Sequence, residues 1–125
     1  MMNQFDVIIR HGTLVTSTDE RLVDLGISQG KVAALEPALL GDAAETIEAS
    51  GLHIFPGLID SHVHFNEPGR AEWEGLATGS RALAAGGGTL LFDMPLNAHP
   101  PTIDGVSFDQ KLAAARAICL TDFAF

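Results

Sequence analysis

From Pro56 onward, strand-like and helix-like segments alternate, and this alternation constrains the fold more than any other feature of the chain. Leu58-Ile59-Asp60-Ser61-His62-Val63-His64-Phe65 reads as a strand. A helix is predicted from about Glu72 to Ala85, where Trp73, Leu76, Ala77, Ser80, Leu83 and Ala84 share a face at helical spacing. Gly75 and Gly79 weaken that helix, and Gly86-Gly87-Gly88 ends it. Thr89-Leu90-Leu91-Phe92 is continuously apolar, the pattern of a strand buried on both faces. After a loop with Pro95, Pro100 and Pro101, Ser107 and Gln110 have capping-box spacing. They open a helix that carries Phe108, Leu112, Ala115 and Cys119 on one face. Leu120 to Phe125 is strand-like again. The order β-α-β-α-β implies a parallel sheet with right-handed crossovers.

Two α/β architectures fit that order. A dinucleotide-binding sheet needs a glycine-rich first turn, and His64-Phe65-Asn66-Glu67-Pro68-Gly69-Arg70 lacks that glycine spacing. A (β/α)8 TIM barrel is the better reading. Such a barrel takes about 250 residues and eight strands. The expected fold is therefore α/β, a partial barrel made of its first units, in a chain that reads as incomplete.

The residues before the barrel follow a different pattern. Phe5 to Arg10 is a β-branched apolar strand, His11-Gly12 punctuates it, and Thr13 to Thr16 reads as its hairpin partner. Val23, Leu25 and Ile27 alternate with Asp24, Gly26 and Ser28, as in a half-buried strand. Gln29-Gly30 turns into Val32 to Leu35, and Thr46 to Ala49 forms a further short strand. These short strands suggest part of a small β-sandwich over residues 1–55, with the barrel portion over 56–125.

Composition narrows the partners. The chain carries 16 acidic and 7 basic residues, a formal net charge of −9, with no Lys/Arg run. That balance argues against nucleic acid and anionic membrane as partners. The single cysteine, Cys119, cannot form an internal disulfide, which fits a reducing cytosol. No signal peptide or spanning segment is evident, so a cytoplasmic setting is expected.

Asp60, His62 and His64 occupy alternate positions and so share one face of their strand. Two imidazoles at i, i+2 can converge on one metal ion, at the C-terminal strand end where barrel active sites lie. Asp60 on the same face can orient a ligand imidazole or approach the metal. Read structurally, the same pair is two exposed or hydrogen-bonded histidines. Structural readings are favoured for His11 in a turn, for His53 as partly buried filler and for His99 in a proline-flanked loop. They also hold for Trp73 in a core or interface, Arg70 in an ion pair and Cys119 in apolar packing. Asp93, at the end of a buried strand, fits either loop capping or support of the site.

Phe55-Pro56-Gly57-Leu58-Ile59-Asp60-Ser61-His62-Val63-His64 resembles the P-G-x-I-D-x-H-x-H signature of the cyclic amidohydrolases. That family includes dihydroorotase, hydantoinase, dihydropyrimidinase and allantoinase. The string from His64 to Arg70, Glu72-Trp73-Glu74-Gly75, Asp93-Met94-Pro95-Leu96-Asn97 and Pro100-Pro101-Thr102 is similar to the allantoinase branch in particular. The resemblance implies metal-dependent hydrolysis of a small cyclic amide, most closely allantoin to allantoate. His62 and His64 would be metal ligands and Asp60 would support them. Zinc, as a binuclear site in the complete enzyme, is the implied metal, and a homo-oligomer, a tetramer, the implied assembly. The chain departs from dihydroorotases at Asn66, where those enzymes place an arginine that pairs with the substrate carboxylate. A neutral amide suits a substrate without a carboxylate. Asn66 and Asn97 are the candidate substrate contacts; either can equally serve loop structure. The resemblance also implies a bridging carboxylated lysine, further histidines and an aspartate base. The lysines here are Lys31, in the β-domain, and Lys111, expected on a helix surface. No catalytic base or bridging lysine is therefore expected within this chain, which reads as an N-terminal portion inactive by itself.

Overall fold

The computed structural model describes residues 4–125. The chain divides into two compact units, one ending at Pro56 and the other beginning at Gly57.

The first unit is a mixed five-stranded sheet. Its central strand β1 (Phe5–Val15) is flanked by β2 (Glu20–Ser28), antiparallel, and by β4 (Ala43–Glu48), parallel. Strand β3 (Lys31–Glu36) lies outside β2, and the short β5 (His53–Ile54) pairs with the C-terminal half of β1. Phe5, Ile8 and Leu39 form the core of this sheet, with Ala34 and Ala43 packed on it. Gln29 and Gly30 both have positive φ, 53° and 70°, and close the two-residue turn between the paired Ser28 and Lys31. Right-handed strand twist favours this turn type, which needs a left-handed conformation at both central positions.

The expected hairpin across His11-Gly12 does not form. β1 runs straight through, and its pairing with β2 steps from Ile9↔Leu25 to Gly12↔Val23. One extra residue on β1 makes a bulge, with His11 at φ 57°. Asp24 explains why. Its side chain is buried instead of facing solvent as the alternation suggested, and it accepts a hydrogen bond from the His11 amide at 2.8 Å. Arg10 Nη1 and the Leu39 amide, each at 3.0 Å, complete the carboxylate. His53 is exposed, not buried filler, and stacks on Phe55.

The second unit is a parallel sheet in the order β6 (Leu58–Val63), β7 (Gly88–Asp93), β8 (Asp122–Ala124). Helices α1 (Ala71–Glu74) and α2 (Leu76–Ala85) follow β6, and α3 (Gly105–Ile118) follows β7. Phe65, Leu76, Leu91 and Ala115 form the core, with Val63, Leu83, Ile118 and Phe123 packed against it. Among the described residues no helix is long and apolar enough to cross a membrane.

Five expectations are corrected here. The helix predicted from Glu72 to Ala85 is two helices, because Gly75 adopts an extended conformation and interrupts it. The Glu67 carboxylate accepts from the Leu76 amide at 2.9 Å and so caps the second piece. Trp73, on the first piece, is 69% exposed, with the Arg70 guanidinium over its ring, which removes the core reading and leaves the interface one. Strand β7 is buried on one face only, since Leu91 and Asp93 are covered while Thr89 and Phe92 are exposed. The cap of α3 lies three residues earlier than expected, with Asp104 and Ser107 forming the box. The buried stripe of α3 is accordingly Ser107, Lys111 and Ala115. Lys111, expected on a helix surface, is fully buried.

Candidate metal centre

The site is built where β6 gives way to its loop. β6 ends at Val63, so His62 is on the strand and His64 is the first residue beyond it. The two side chains nevertheless converge. Their Nε2 atoms are 3.1 Å apart and the ring centroids 5.0 Å apart, with both rings exposed. Two nitrogens bound to one zinc at about 2.0–2.1 Å and near-tetrahedral or right angles stand roughly 2.9–3.4 Å apart. The pair therefore fits two adjacent positions on a single ion. Without an ion the same separation requires one ring to donate and the other to accept.

Asp60 is half-buried, and its Oδ1 accepts from the backbone amide of His62 at 3.1 Å. It thus fixes the strand backbone beneath the first imidazole. Among the described residues no group of three or more His, Cys, Asp or Glu side chains is arranged to hold an ion. The two imidazoles are half of a closed tetrahedral set.

The loop after His64 is tied down at several points. The Phe65 amide donates to Asp93 Oδ1 at 2.9 Å, and Met94 donates from its amide to the Val63 carbonyl, also at 2.9 Å. Phe65 drops its ring into the core. A Cβ on Gly79 would lie 2.0 Å from that ring, so the glycine is the slot that admits it. Asn66 is buried. Its amide N–H donates to the Glu74 carbonyl, its Nδ2 reaches the same oxygen at 3.4 Å, and its Oδ1 has no partner among the described residues. Asn97 stands half-buried in the loop after β7. His99 is exposed and its amide donates to the Pro68 carbonyl, a loop-closing contact.

Sequence reasoning missed the partner of Asp93. Lys111 Nζ lies 2.6 Å from Asp93 Oδ2, both side chains wholly buried, in a charge contact outside hydrogen-bonding geometry. The ammonium also lies 5.2 Å from the centre of the Phe125 ring. The signal was present: Ser107, Lys111 and Ala115 follow at steps of four, which puts the lysine on the stripe that faces β7.

The amidohydrolase family model matches residues 53–121. An allantoinase of Rubrobacter xylanophilus is 58% identical to the chain over 98% of its length. The chain spans 27% of that relative, about a quarter of the length of the curated relatives it matches. Among solved structures, an L-hydantoinase (dihydropyrimidinase) from Arthrobacter aurescens superposes with a TM-score of 0.89 at 32% identity. That match covers 97% of this chain and 27% of the other. An N-acyl-D-glutamate deacylase from Bordetella bronchiseptica, in complex with zinc and a phosphonate inhibitor, matches with a TM-score of 0.58 at 26% identity. It covers 71% of this chain and 18% of that one.

Proposed function

The chain belongs to the amidohydrolase family, and from that premise we propose that it supplies the first metal-ligating segment of an enzyme that opens the ring amide of allantoin to give allantoate. The observation that carries the reading is the convergence of His62 and His64, with their Nε2 atoms 3.1 Å apart. The identity to allantoinases over nearly the whole chain supports the substrate. In this reading the residues up to Pro56 are part of a small β-domain, and those from Gly57 onward open a (β/α)8 barrel. His62 and His64 hold a divalent ion, which we take to be zinc; zinc is present in the deacylase relative. When bound, such an ion polarises a carbonyl and lowers the pKa of its water. Asp60 steadies the backbone that carries His62. Asn66 and Asn97 hydrogen-bond the substrate, and the neutral amide of Asn66 suits a ring without a carboxylate. The remaining ligands, the bridging lysine and the base would come from outside these residues. Lys111 does not supply the bridge, since it is spent on Asp93. The enzyme so composed is a cytoplasmic homo-oligomer, with four subunits.

The fold match to an L-hydantoinase supports a second reading, in which the substrate is another hydantoin-type ring. A chimera decides between them. This chain replaces the matching segment of the Rubrobacter xylanophilus allantoinase, and hydrolysis of allantoin, hydantoin and dihydroorotate is measured. Allantoin should be preferred over dihydroorotate by a large factor, because a site without the arginine buries that carboxylate unpaired, at several kcal/mol. His64→Ala should lower kcat/KM for allantoin by at least about 100-fold, as loss of a direct ligand exceeds the effect of losing its supports. Comparable kcat/KM for allantoin and dihydroorotate would refute the substrate. Greater activity on hydantoin than on allantoin would favour the second reading.

A further inference from the structure

His64 lies outside β6, yet its ring meets that of His62. Something must fix a residue that the strand no longer holds. The backbone on both sides of His64 is pinned to consecutive residues of the neighbouring strand end. On one side the Val63 carbonyl accepts from the Met94 amide at 2.9 Å. On the other the Phe65 amide donates to Asp93 Oδ1 at 2.9 Å. That amide shares a peptide plane with the His64 carbonyl, so holding it sets the His64 backbone torsion and with it the direction of the imidazole. A carboxylate can serve this way only if its own rotamer is fixed. Oδ2 is held by Lys111, reaching from α3 with no exposure to solvent.

We propose that Asp93 is a positioning residue, and that the buried Asp93–Lys111 pair holds His64 against His62 in the geometry that binds the ion. The metal half of this statement rests on the reading of His62 and His64 as ligands; the positional half does not. The pair never touches the ion. It sits behind the site, as the outer partners of metal ligands commonly do, and loss of such partners typically weakens metal affinity by about 10- to 100-fold.

Single substitutions would leave a charge buried alone, so the test uses neutral double variants of the whole chain. Asp93→Asn with Lys111→Gln keeps an oxygen that can accept from the Phe65 amide. Asp93→Leu with Lys111→Met keeps the volume and removes that oxygen. Asp93→Ala with Lys111→Met serves the same comparison if leucine crowds the site. Far-UV circular dichroism selects variants that retain the fold. Two readouts follow. The first is the nuclear Overhauser contact between the His62 and His64 rings, whose centroids lie 5.0 Å apart. It should persist in the Asn/Gln variant and vanish in the Leu/Met variant. The second is titration with Co(II), followed by its visible absorption. Affinity should stay within a few-fold of the parent in the Asn/Gln variant and fall by about ten-fold or more in the Leu/Met variant. A ring–ring contact kept in a folded Leu/Met variant would overturn the proposal. Equal Co(II) affinity in both folded double variants would do the same. If the parent chain shows no Co(II) uptake that depends on His62 and His64, the metal reading fails, and the ring–ring contact alone still decides the positioning.

Discussion

Each unit of the chain buries one aspartate against one cation, and the two pairs are built differently. In the first unit Asp24 is fully engaged. Its oxygens take the His11 amide, the Leu39 amide and Arg10 Nη1, and the guanidinium also donates to the Leu39 carbonyl. Arg10 is partly open to solvent. In the second unit Asp93 has one amide donor, from Phe65, and its other oxygen faces Lys111, which has no exposure at all. Both carboxylates do the same local job, catching a backbone amide where the chain leaves regular pairing. At His11 that amide belongs to a bulge inside a sheet. At Phe65 it belongs to the loop that carries a candidate ligand. The difference lies in satisfaction: Asp24 accepts from two amides and a guanidinium, whereas Asp93 accepts from one amide and otherwise depends on a single ammonium.

Removing the cation from each pair should therefore have unequal effects. Lys111→Met leaves Asp93 charged, buried and without its counter-ion, which typically costs about 3–5 kcal/mol. Arg10→Met leaves Asp24 with two amide donors, and the loss should be nearer 1–3 kcal/mol, the usual scale for one hydrogen bond to a buried charged group. Urea unfolding of the two variants, followed at the amides of Leu91 and Ile8, measures the contrast. Equal losses would mean that the number of hydrogen bonds around the carboxylate does not govern its dependence on the cation.

The third, smaller effect is on pH. Burial pushes the Asp24 carboxyl up, but the His11 and Leu39 amides and the Arg10 guanidinium outweigh it and hold the group below its ordinary value of 3.8. A carboxyl whose folded pKa lies below its unfolded pKa stabilises fully above the unfolded value, and that contribution fades as pH falls through the folded one. Stability of the first unit should thus decline as the pH drops below about 4, and Asp24→Asn should flatten this part of the profile. A wild-type profile no steeper than that of Asp24→Asn between about pH 5 and pH 2 would contradict the assignment.

Much of the second unit was legible because period and punctuation agree there. The apolar runs gave β6, β7 and β8, and the glycines at 86–88 gave the end of α2. The approach of His62 and His64 was legible in part: alternate positions suggested a shared face, but β6 ends at Val63, and His64 meets His62 from the first residue beyond it. What escaped the sequence was decided by partners distant in the chain. His11-Gly12 reads as a turn until Asp24, 13 residues on, takes the His11 amide. Gly75 reads as a weak helical position until Glu67 offers a cap to the next residue. Lys111 reads as a surface lysine on charge alone, and only Asp93, brought beneath it by the parallel pairing, makes its burial tolerable. Phe92 reads as buried because its run is apolar, yet the helices cover the opposite face of β7. Periodicity reports which residues prefer to be covered, and it is silent on which acid will meet which cation.

The central claim is that His62 and His64 form a metal-binding pair, and titrating the chain with zinc tests it most directly. Two neutral imidazoles leave zinc two ligands short of a closed tetrahedral site, so binding should be measurable but weak. Isothermal calorimetry of the parent and of the His62→Ala/His64→Ala variant gives the comparison. The account predicts one weakly held ion per parent chain and none for the double variant. Tight binding that survives both substitutions would place the ligands elsewhere and contradict the claim.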